Sequence, residues 1–244
     1  MMKIGVLALQ GDFEEHAQRL HMLGCETIEL RSAADLDVTL DGLVLPGGES
    51  TAQTTLLEEF AMLEPIRQLI ADGLPVFATC AGLVLLAREV EHSERESHAA
   101  GRTAGAFATL PVCVRRNAYG RQLASSHKVA PFRMDENITL EEAPHIPMTF
   151  IRAPQITEVG EDVIVLAKDG EAVVAVRFGN QLGITFHPEL DADDTIYQLF
   201  LGMIEQRACS PRRCSKRGSL RTPEDLLLKA HRVLSNRHQT CSSK

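Results

Sequence analysis

The feature of this sequence that most constrains its fold is an alternation, in the N-terminal part, of short apolar runs with amphipathic helical segments. The runs that predict buried strands are Ile4–Leu9, Thr27–Leu30, Gly42–Leu45 and Pro75–Thr79. Apolar residues at helical spacing predict helices over Phe13–Leu23, Ala61–Ala71 and Leu83–Ala87. Strands that alternate with helices in this way build a parallel sheet with helices on both faces.

The second half of the chain differs, because strand-like segments follow one another across short polar turns. The segments are Pro111–Arg116, Met148–Ile151, Val163–Ala167, Ala172–Phe178 and Leu182–Phe186, with hairpin loops predicted at Lys168–Glu171 and Gly179–Gln181. Polar residues 91–105 predict a loop, and Asp194–Glu205 predicts a last helix. We therefore expect an α/β fold with three layers, a mostly parallel central sheet covered by helices on both faces.

Charge divides the chain into an acidic body and a basic tail. Residues 207–244 carry ten Lys or Arg against Glu224 and Asp225, so they contribute +8 to a total of −8. We expect a domain over residues 1–206 and a basic extension over 207–244, with a linker at Cys209–Ser219 and a possible short helix from Thr222. The extension is either solvated or in contact with an anionic partner. The acidic body does not indicate nucleic-acid binding.

The cysteines and the apolar runs indicate a reducing, non-membrane setting. The six cysteines have irregular spacing that matches neither a disulfide framework nor a metal site, so we expect free thiols and no metal. No run reaches the ~20 apolar residues of a membrane-spanning helix. The first run ends at Gln10 and predicts a buried strand better than an export signal. We expect a soluble, cytoplasmic protein.

Cys80 lies between the predicted strand Pro75–Thr79 and a helix, on a tight turn with small neighbours at Ala78, Ala81 and Gly82. Such a strand-to-helix elbow exposes a nucleophile, and the helix amino terminus favours a thiolate. A buried structural cysteine is the alternative, since free cysteine is among the most buried residue types.

His187-Pro188-Glu189 follows the last predicted strand. In an extended chain, residues i and i+2 point to the same side, about 6.5 to 7 Å apart, and we expect Pro188 to prevent a helical conformation here. A carboxylate at 189 can then fix the tautomer of His187 and leave its other nitrogen for a thiol. Carboxyl ends of parallel strands share one edge of the sheet, so Cys80 and His187 are expected to meet there.

Gly47-Gly48 follows the third predicted strand and ends at the same edge. Glycines allow backbone conformations that are closed to other residues, so a peptide N–H here could face a developing oxyanion. A plain turn is the alternative. No Gly-Lys-Ser/Thr follows, which excludes a phosphate-binding loop of the P-loop type.

Taken together, these motifs resemble those of the class I (triad) glutamine amidotransferases, and among them the branch that serves pyridoxal 5′-phosphate synthase. The Cys80 elbow and His-Pro-Glu are shared by the whole superfamily. The segments specific to the branch are Leu9-Gln10-Gly11-Asp12, Arg116–Gln122 and Phe150–Pro154, and Glu15-His16 and Pro46–Thr51 also match. The resemblance spans Ile4 to about Glu205.

The resemblance implies a flavodoxin-like fold and hydrolysis of L-glutamine to glutamate and ammonia, with no cofactor. Cys80 would be the nucleophile, His187 the acid and base, and Glu189 its orienting residue. The oxyanion would be held by backbone N–H groups at Gly48 and Ala81. The residues implied in glutamine binding are Gly47, Gly48, Glu49, Arg116, Ile151 and Arg152. Gln10 would couple activity to a barrel-type synthase partner, in a large hetero-oligomer that receives the ammonia for pyridoxal 5′-phosphate.

The sequence departs from that family at three places and leaves two other functions open. Ala78 replaces a usual glycine next to the elbow, and residues 91–105 and 125–133 diverge. We expect the loops to affect partner docking more than chemistry. The alternatives are a glutaminase of another pathway, such as histidine or purine synthesis, and a non-catalytic scaffold that binds a partner.

Overall fold

A computed structural model describes residues 1–92, 101–116, 125–135 and 137–209. Its strands, in chain order, are β1 (Lys3–Leu7), β2 (Glu26–Leu30), β3 (Gly42–Leu45), β4 (Val76–Thr79), β5 (Ala87–His92), β6 (Gly101–Thr103), β7 (Leu110–Arg115), β8 (Ser125–Pro131), β9 (His145–Ile151), β10 (Gln155–Val159), β11 (Ile164–Asp169), β12 (Ala172–Phe178) and β13 (Gln181–Ile184). The α-helices are α1 (Phe13–Met22), α2 (Ser50–Glu59), α3 (Leu63–Ala71), α4 (Ala81–Leu86) and α5 (Thr195–Cys209).

The centre of the fold is a parallel sheet in the order β2-β1-β3-β4-β13. From β13 the sheet continues through β12, β10, β7, β5 and β6, mainly with antiparallel pairs, and β11 pairs with β12. The strands β8 and β9 form a separate two-stranded sheet. Because β4 and β13 are parallel neighbours, the residues that follow both strands emerge at the same edge.

Side chains of each central strand alternate between two apolar layers. In β3, Val44 joins the layer that contains Leu20 of α1 and Phe200 of α5, whereas Leu43 and Leu45 join the layer of α2, α3 and α4. This period of two is what strand geometry requires of a sheet buried on both faces. The predicted α/β class with helices on both faces is confirmed.

Several predicted elements agree with the structure, and others end earlier or later. The strand at Gly42–Leu45 and both hairpin loops are confirmed. The first strand ends at Leu7 rather than Leu9, β13 ends at Ile184 rather than Phe186, and α5 continues to Cys209 rather than Glu205. Residues 8–12 are therefore free of the sheet edge and can line a site.

Helix α2 is absent from the prediction, because its polar, threonine-rich sequence gives no clear apolar spacing. The helix begins where the Glu49 side chain accepts hydrogen bonds from the N–H groups of Thr51 and Ala52, at 3.1 and 2.7 Å. That cap satisfies donors that are otherwise unpaired at a helix start. Tertiary packing of Leu57 then stabilises a helix of weak intrinsic propensity.

The prediction of a loop over residues 91–105 is wrong at both ends. Glu91 and His92 belong to β5 and Gly101–Thr103 form β6, while 93–100 lie outside the described residues. The prediction that the helix after Cys80 reaches Ala87 is also wrong, since α4 ends at Leu86. Strand pairing explains both, because β5 begins with Ala87 paired to Leu110 of β7 and β6 pairs with the end of β5. Arg102 of β6 adds ion pairs with Glu89, Glu91 and Glu158. These polar strands carry no apolar periodicity.

Two further strands are absent from the prediction. β10 pairs with both β7 and β12, and the divergent segment after residue 124 forms β8, which pairs along its whole length with β9. In both cases the backbone pairing, rather than a hydrophobic pattern, defines the strand.

The chain divides into two compact units, Met1–Ile204 and Glu205–Lys244. Only residues 205–209 of the second are described. The predicted linker beyond Cys209 and the helix from Thr222 lie outside the described residues, and the boundary at 206/207 stays a prediction. Within the described part of the chain, no helix is long and apolar enough to cross a membrane.

Gly82 gives a stability prediction, because a Cβ there would overlap the backbone carbonyl of Leu45 in β3. Gly82→Ala is expected to lower the free energy of unfolding by about 1–3 kcal/mol. Gly202→Ala, at a helical site where a Cβ meets no atom within 4 Å, should instead raise it by up to ~1 kcal/mol. Urea denaturation of both variants checks the difference. Equal effects would contradict the close packing of α4 on β3.

Candidate active site

Cys80 occupies the turn between β4 and α4 with a backbone that only a constrained elbow adopts. Its φ is 46° and its ψ is −102°, a region that costs a non-glycine residue about 1–3 kcal/mol. Its N–H donates to the carbonyl of Ile184 at 2.9 Å, which holds the turn against β13. The predicted elbow is therefore present, and its strain falls on Cys80, the predicted nucleophile.

Ala78 does not disturb this elbow. It lies inside β4, fully buried, and pairs in register with Leu45 on one side and Gly183 on the other. Its methyl group is part of the apolar layer below the sheet. The elbow therefore accommodates alanine at the position where the family usually has glycine.

His187 and Glu189 lie together, but not in the extended conformation that we expected. Residues Pro188–Leu190 form a 3₁₀ turn with Pro188 at its start, and His187 precedes that turn. The expectation that Pro188 prevents a helical conformation is wrong, because proline is well suited to the first position of a helical turn. The turn still places Glu189 Oε1 2.6 Å from His187 Nδ1.

The two nitrogens of His187 have different surroundings. Nδ1 donates to Glu189, whereas Nε2 is buried and has no hydrogen-bond partner among the described residues. Burial alone would lower the pKa of His187, but its contacts with Asp12, Cys80 and Glu189 outweigh burial and raise that pKa well above its usual value. Such surroundings favour the protonated, imidazolium form of His187.

Asp12 is a second carboxylate neighbour of His187, one that sequence reasoning quoted in a motif but gave no role. Its Oδ2 is 3.4 Å from His187 Nδ1, and the hydrogen bond to His187 lowers the pKa of Asp12 against the opposing effect of burial. Gly47 makes this approach possible, because a Cβ at Gly47 would lie 2.6 Å from His187 Cε1 and 2.8 Å from Asp12 Oδ2.

A cavity of about 400 Å³ opens over Cys80. Nine of the eleven candidate site residues line it: Gln10, Gly48, Glu49, Cys80, Ala81, Arg116, Ile151, Arg152 and His187. The other two lie behind its wall, Gly47 against the ring of His187 and Glu189 buried on the far side of that ring. A volume of this size suits a small polar ligand.

The side chain of Gln10 binds the peptide group that joins Gly48 and Glu49. The Glu49 N–H donates to Gln10 Oε1 at 2.6 Å, and Gly48 has a φ of +147°. The Gln10 oxygen would also lie 2.5 Å from a Cβ at Gly48, so this approach requires glycine. The peptide nearest the expected oxyanion position therefore points toward Gln10.

Opposite charges meet at the entrance of the cavity. Arg116 donates to Glu49 Oε1 at 2.8 Å and to Thr51 Oγ1 at 2.9 Å. Burial would raise the pKa of Glu49, but the N–H groups of Ala52 and Thr51 and the charge of Arg116 lower it overall. The pair offers both a cation and an anion to a ligand that carries both charges.

The turn that carries His187 is tied to β9. The His187 N–H donates to Thr149 O at 2.8 Å, and Asp191 accepts from the N–H and the hydroxyl of Thr149 at 3.1 and 2.8 Å. The same strand ends at Ile151, and Arg152 follows with a φ of 45°. Sequence reasoning assigned no role to Thr149 or Asp191, and no local pattern indicates this pairing.

Three of these side chains could also hold a metal ion. The ligand atoms of Asp12, His187 and Glu189 lie within 4.8 Å of one another. A 2.6 Å hydrogen bond already joins two of them, so a metal would have to displace it. The expected absence of a metal stays a prediction.

Comparison with known proteins places this geometry in context. The model of the SNO glutamine amidotransferase family matches residues 6–206. The chain is 51% identical to "Pyridoxal 5'-phosphate synthase subunit PdxT" of Desulfitobacterium hafniense, over 83% of this chain and 94% of that protein. It is 48% identical to the protein of the same name from Methanocorpusculum labreanum, over 83% and 98%. A solved structure described as "Crystal structure of glutamine amidotransferase" superposes with a TM-score of 0.71 and 37% identity, over 83% of this chain and 98% of that one.

Proposed function

The chain belongs to the SNO glutamine amidotransferase family, and on that premise we propose that Cys80, His187 and Glu189 carry out its hydrolysis of glutamine to glutamate and ammonia. The observation that carries the assignment is the 2.6 Å contact of Glu189 with His187 Nδ1, which leaves Nε2 on the side of the cavity that Cys80 lines. The protein is a glutaminase; the residue roles are the proposal.

In the first half of the reaction, the Cys80 thiolate attacks the side-chain amide carbon of glutamine. The developing oxyanion accepts hydrogen bonds from backbone N–H groups at Ala81 and next to Gly48, which together stabilise it by a few kcal/mol, about the magnitude of one or two oxyanion donors. His187 donates its Nε2 proton to the departing ammonia. A γ-glutamyl thioester remains on Cys80.

The second half requires His187 to change from an acid to a base. The negative charge of the Cys80 thiolate is one of the influences that raise the pKa of His187. When the sulfur becomes a thioester it loses that charge, so the pKa of His187 falls. A neutral His187 can then remove a proton from water, which attacks the thioester and releases glutamate.

The charged entrance of the cavity matches the two charges at the α-carbon of glutamine. In this mechanism Arg116 binds the α-carboxylate and Glu49 binds the α-ammonium group. Ile151 and Arg152 close the wall on the β9 side, with Gly47 and Gly48 on the opposite side. The amide would then extend from the charged entrance toward Cys80.

Arg116→Gln is expected to raise KM for glutamine by about tenfold or more, because it removes a charge-assisted contact, with a smaller change in kcat. Arg115→Gln is the matched control, since Arg115 pairs with Glu91 on another part of the sheet and does not line the cavity. Steady-state glutamate release measures both. A similar KM for the two variants would contradict the role of Arg116.

The partner that we propose is a pyridoxal 5′-phosphate synthase of the barrel type, which would receive the ammonia within a large hetero-oligomer. The names and identities of the relatives support it. The hydrogen bond from Glu49 N–H to Gln10 Oε1 also suggests how docking raises activity. A partner that draws Gln10 away would free the Gly48–Glu49 peptide group to rotate toward the oxyanion.

The test is glutamate release with and without that synthase. We expect a low basal rate that rises severalfold or more when the synthase is added, and no rise with the synthases of histidine or purine pathways. Activation by one of those enzymes alone would assign the chain to another pathway. Absence of any glutamate release, with or without partners, would favour the scaffold alternative.

A cytoplasmic location is part of the proposal, because a reactive thiolate requires a reducing compartment.

A further inference from the structure

A second histidine lies behind the carboxylate of Glu189. His16 on α1 is fully buried, and its Nε2 is 3.4 Å from Glu189 Oε2 and 3.2 Å from the Thr79 hydroxyl. Its Nδ1 is 2.9 Å from the Tyr197 hydroxyl of α5. Glu189 therefore lies between two imidazoles, with Oε1 toward His187 and Oε2 toward His16.

The surroundings of His16 determine its protonation state and which ring nitrogen carries the proton. Burial lowers the pKa of His16, with Glu189 opposing and His187 reinforcing that effect, so the ring is neutral near pH 7. Burial also raises the pKa of Tyr197, which keeps its hydroxyl proton and can donate it to Nδ1. The single ring proton is then on Nε2. The charged groups that act on His16 are Glu189, His187, Asp12 and Glu15.

The opposite tautomer is unfavourable at this site. It would direct the lone pair of Nε2 at the carboxylate oxygen of Glu189, 3.4 Å away. Oε2 is buried and has no hydrogen-bond partner among the described residues, so loss of the N–H that faces it would leave its charge less compensated. An unsatisfied buried carboxylate oxygen costs more than a neutral hydrogen bond contributes.

We infer that His16 is a positioning residue for the proposed reaction: its Nε2–H bonds the Thr79 hydroxyl and also faces Glu189 Oε2 at 3.4 Å, and its attraction for that oxygen keeps Oε1 on His187 Nδ1. This inference rests on the proposed function of His187 and Glu189. A neutral imidazole suits the task, because it orients the carboxylate without neutralising the charge that His187 needs. Edge contacts of the ring with Phe77, at 5.7 Å between centroids, restrict its rotation.

The test compares two substitutions of similar size at His16. His16→Leu removes the N–H, whereas His16→Gln can accept from Tyr197 and donate to Glu189. We expect His16→Leu to lower kcat for glutamate release by about tenfold or more, as loss of an orienting group does, with KM changed less than about twofold. His16→Gln should recover most of kcat. His21→Leu, an exposed histidine on the same helix, is the matched control.

A second readout separates positioning from packing. The alkaline limb of kcat for glutamate release, measured against pH, should move to lower pH in His16→Leu but not in His16→Gln, because a less well oriented Glu189 supports the protonated form of His187 less. An equal shift of the alkaline limb in both variants, or a His16→Leu protein that behaves as His21→Leu does, would overturn the inference. If His16→Leu does not fold, Tyr197→Phe replaces it, with the same direction of shift expected and an unchanged profile as the contrary result.

Failure of the proposed function gives a different outcome. If Cys80→Ala retains glutamate release, the assignment of the triad is wrong whatever the His16 variants do. If Cys80→Ala is inactive and only the His16 variants behave as the control, the triad stands and the inference alone fails.

Discussion

Replacing Cys80 with alanine is expected to lower glutamate release from glutamine by about a thousandfold or more, because no thioester can form without the nucleophile. The substitution removes one sulfur from the elbow and leaves its backbone contacts with β13 in place. We therefore expect thermal unfolding close to that of the unmodified protein. Glutamate release with saturating glutamine, in the presence of the synthase, is the measurement.

Cys25→Ala is the matched control for this experiment. Cys25 is buried in the apolar layer under α1, and burial raises the pKa of its thiol, so it should be inert at neutral pH. Its loss should leave activity unchanged. A glutamine-like electrophile should label the parent protein and Cys25→Ala at Cys80, and Cys80→Ala should not be labelled there. Activity retained in Cys80→Ala would contradict the mechanism.

Replacing Glu189 with glutamine is expected to lower kcat by about a thousandfold to ten-thousandfold, the scale seen when the orienting carboxylate of a catalytic triad becomes an amide. The substitution keeps the size of the side chain but removes its charge and can present an N–H to His187 Nδ1. His187 would then adopt the wrong tautomer or turn away from Cys80. Glu158→Gln, an exposed carboxylate that pairs with Arg102, is the control, and it should retain activity.

Glu189→Gln should also change the pH dependence of kcat in a defined direction. The pKa of His187 is raised in the folded protein, in part by Glu189. The acid form of His187 is therefore kept until the pH rises through that raised pKa. Without the carboxylate the pKa falls, so the alkaline limb of kcat should move to lower pH in Glu189→Gln. A limb that does not move would contradict the role of Glu189.

The effect of Glu189→Gln on the free energy of unfolding should also depend on pH. A histidine with a raised pKa contributes stability that is fully present below its unfolded pKa and is lost as the pH rises through the folded pKa. The difference in free energy of unfolding between the parent protein and Glu189→Gln should therefore be largest in mildly acidic solution and shrink in alkaline solution. Urea denaturation at several pH values measures it.

The parallel part of the sheet could be predicted because the sequence patterns that indicate it are local. Apolar runs that end in glycine or proline, followed by amphipathic segments, give β1 to β4 and the helices α1, α3 and α4 within a few residues. Strands β8 and β10 and helix α2 were not predicted, because polar residues dominate them. Their stability comes from backbone pairing, a helix cap and ion pairs between segments far apart in the sequence.

By itself, the sequence determined which residues could react, because Cys80, His187 and Gly48 each follow a predicted strand and parallel strands end at one edge. Only the tertiary structure decided how they meet: through a 3₁₀ turn at Pro188 instead of an extended chain, with Asp12 beside the ring and Gln10 on the Glu49 N–H. It also joined His16 to Tyr197, 181 residues away. A buried hydrogen bond depends on positions in space, to within tenths of an ångström, and no local pattern of residues encodes such a position.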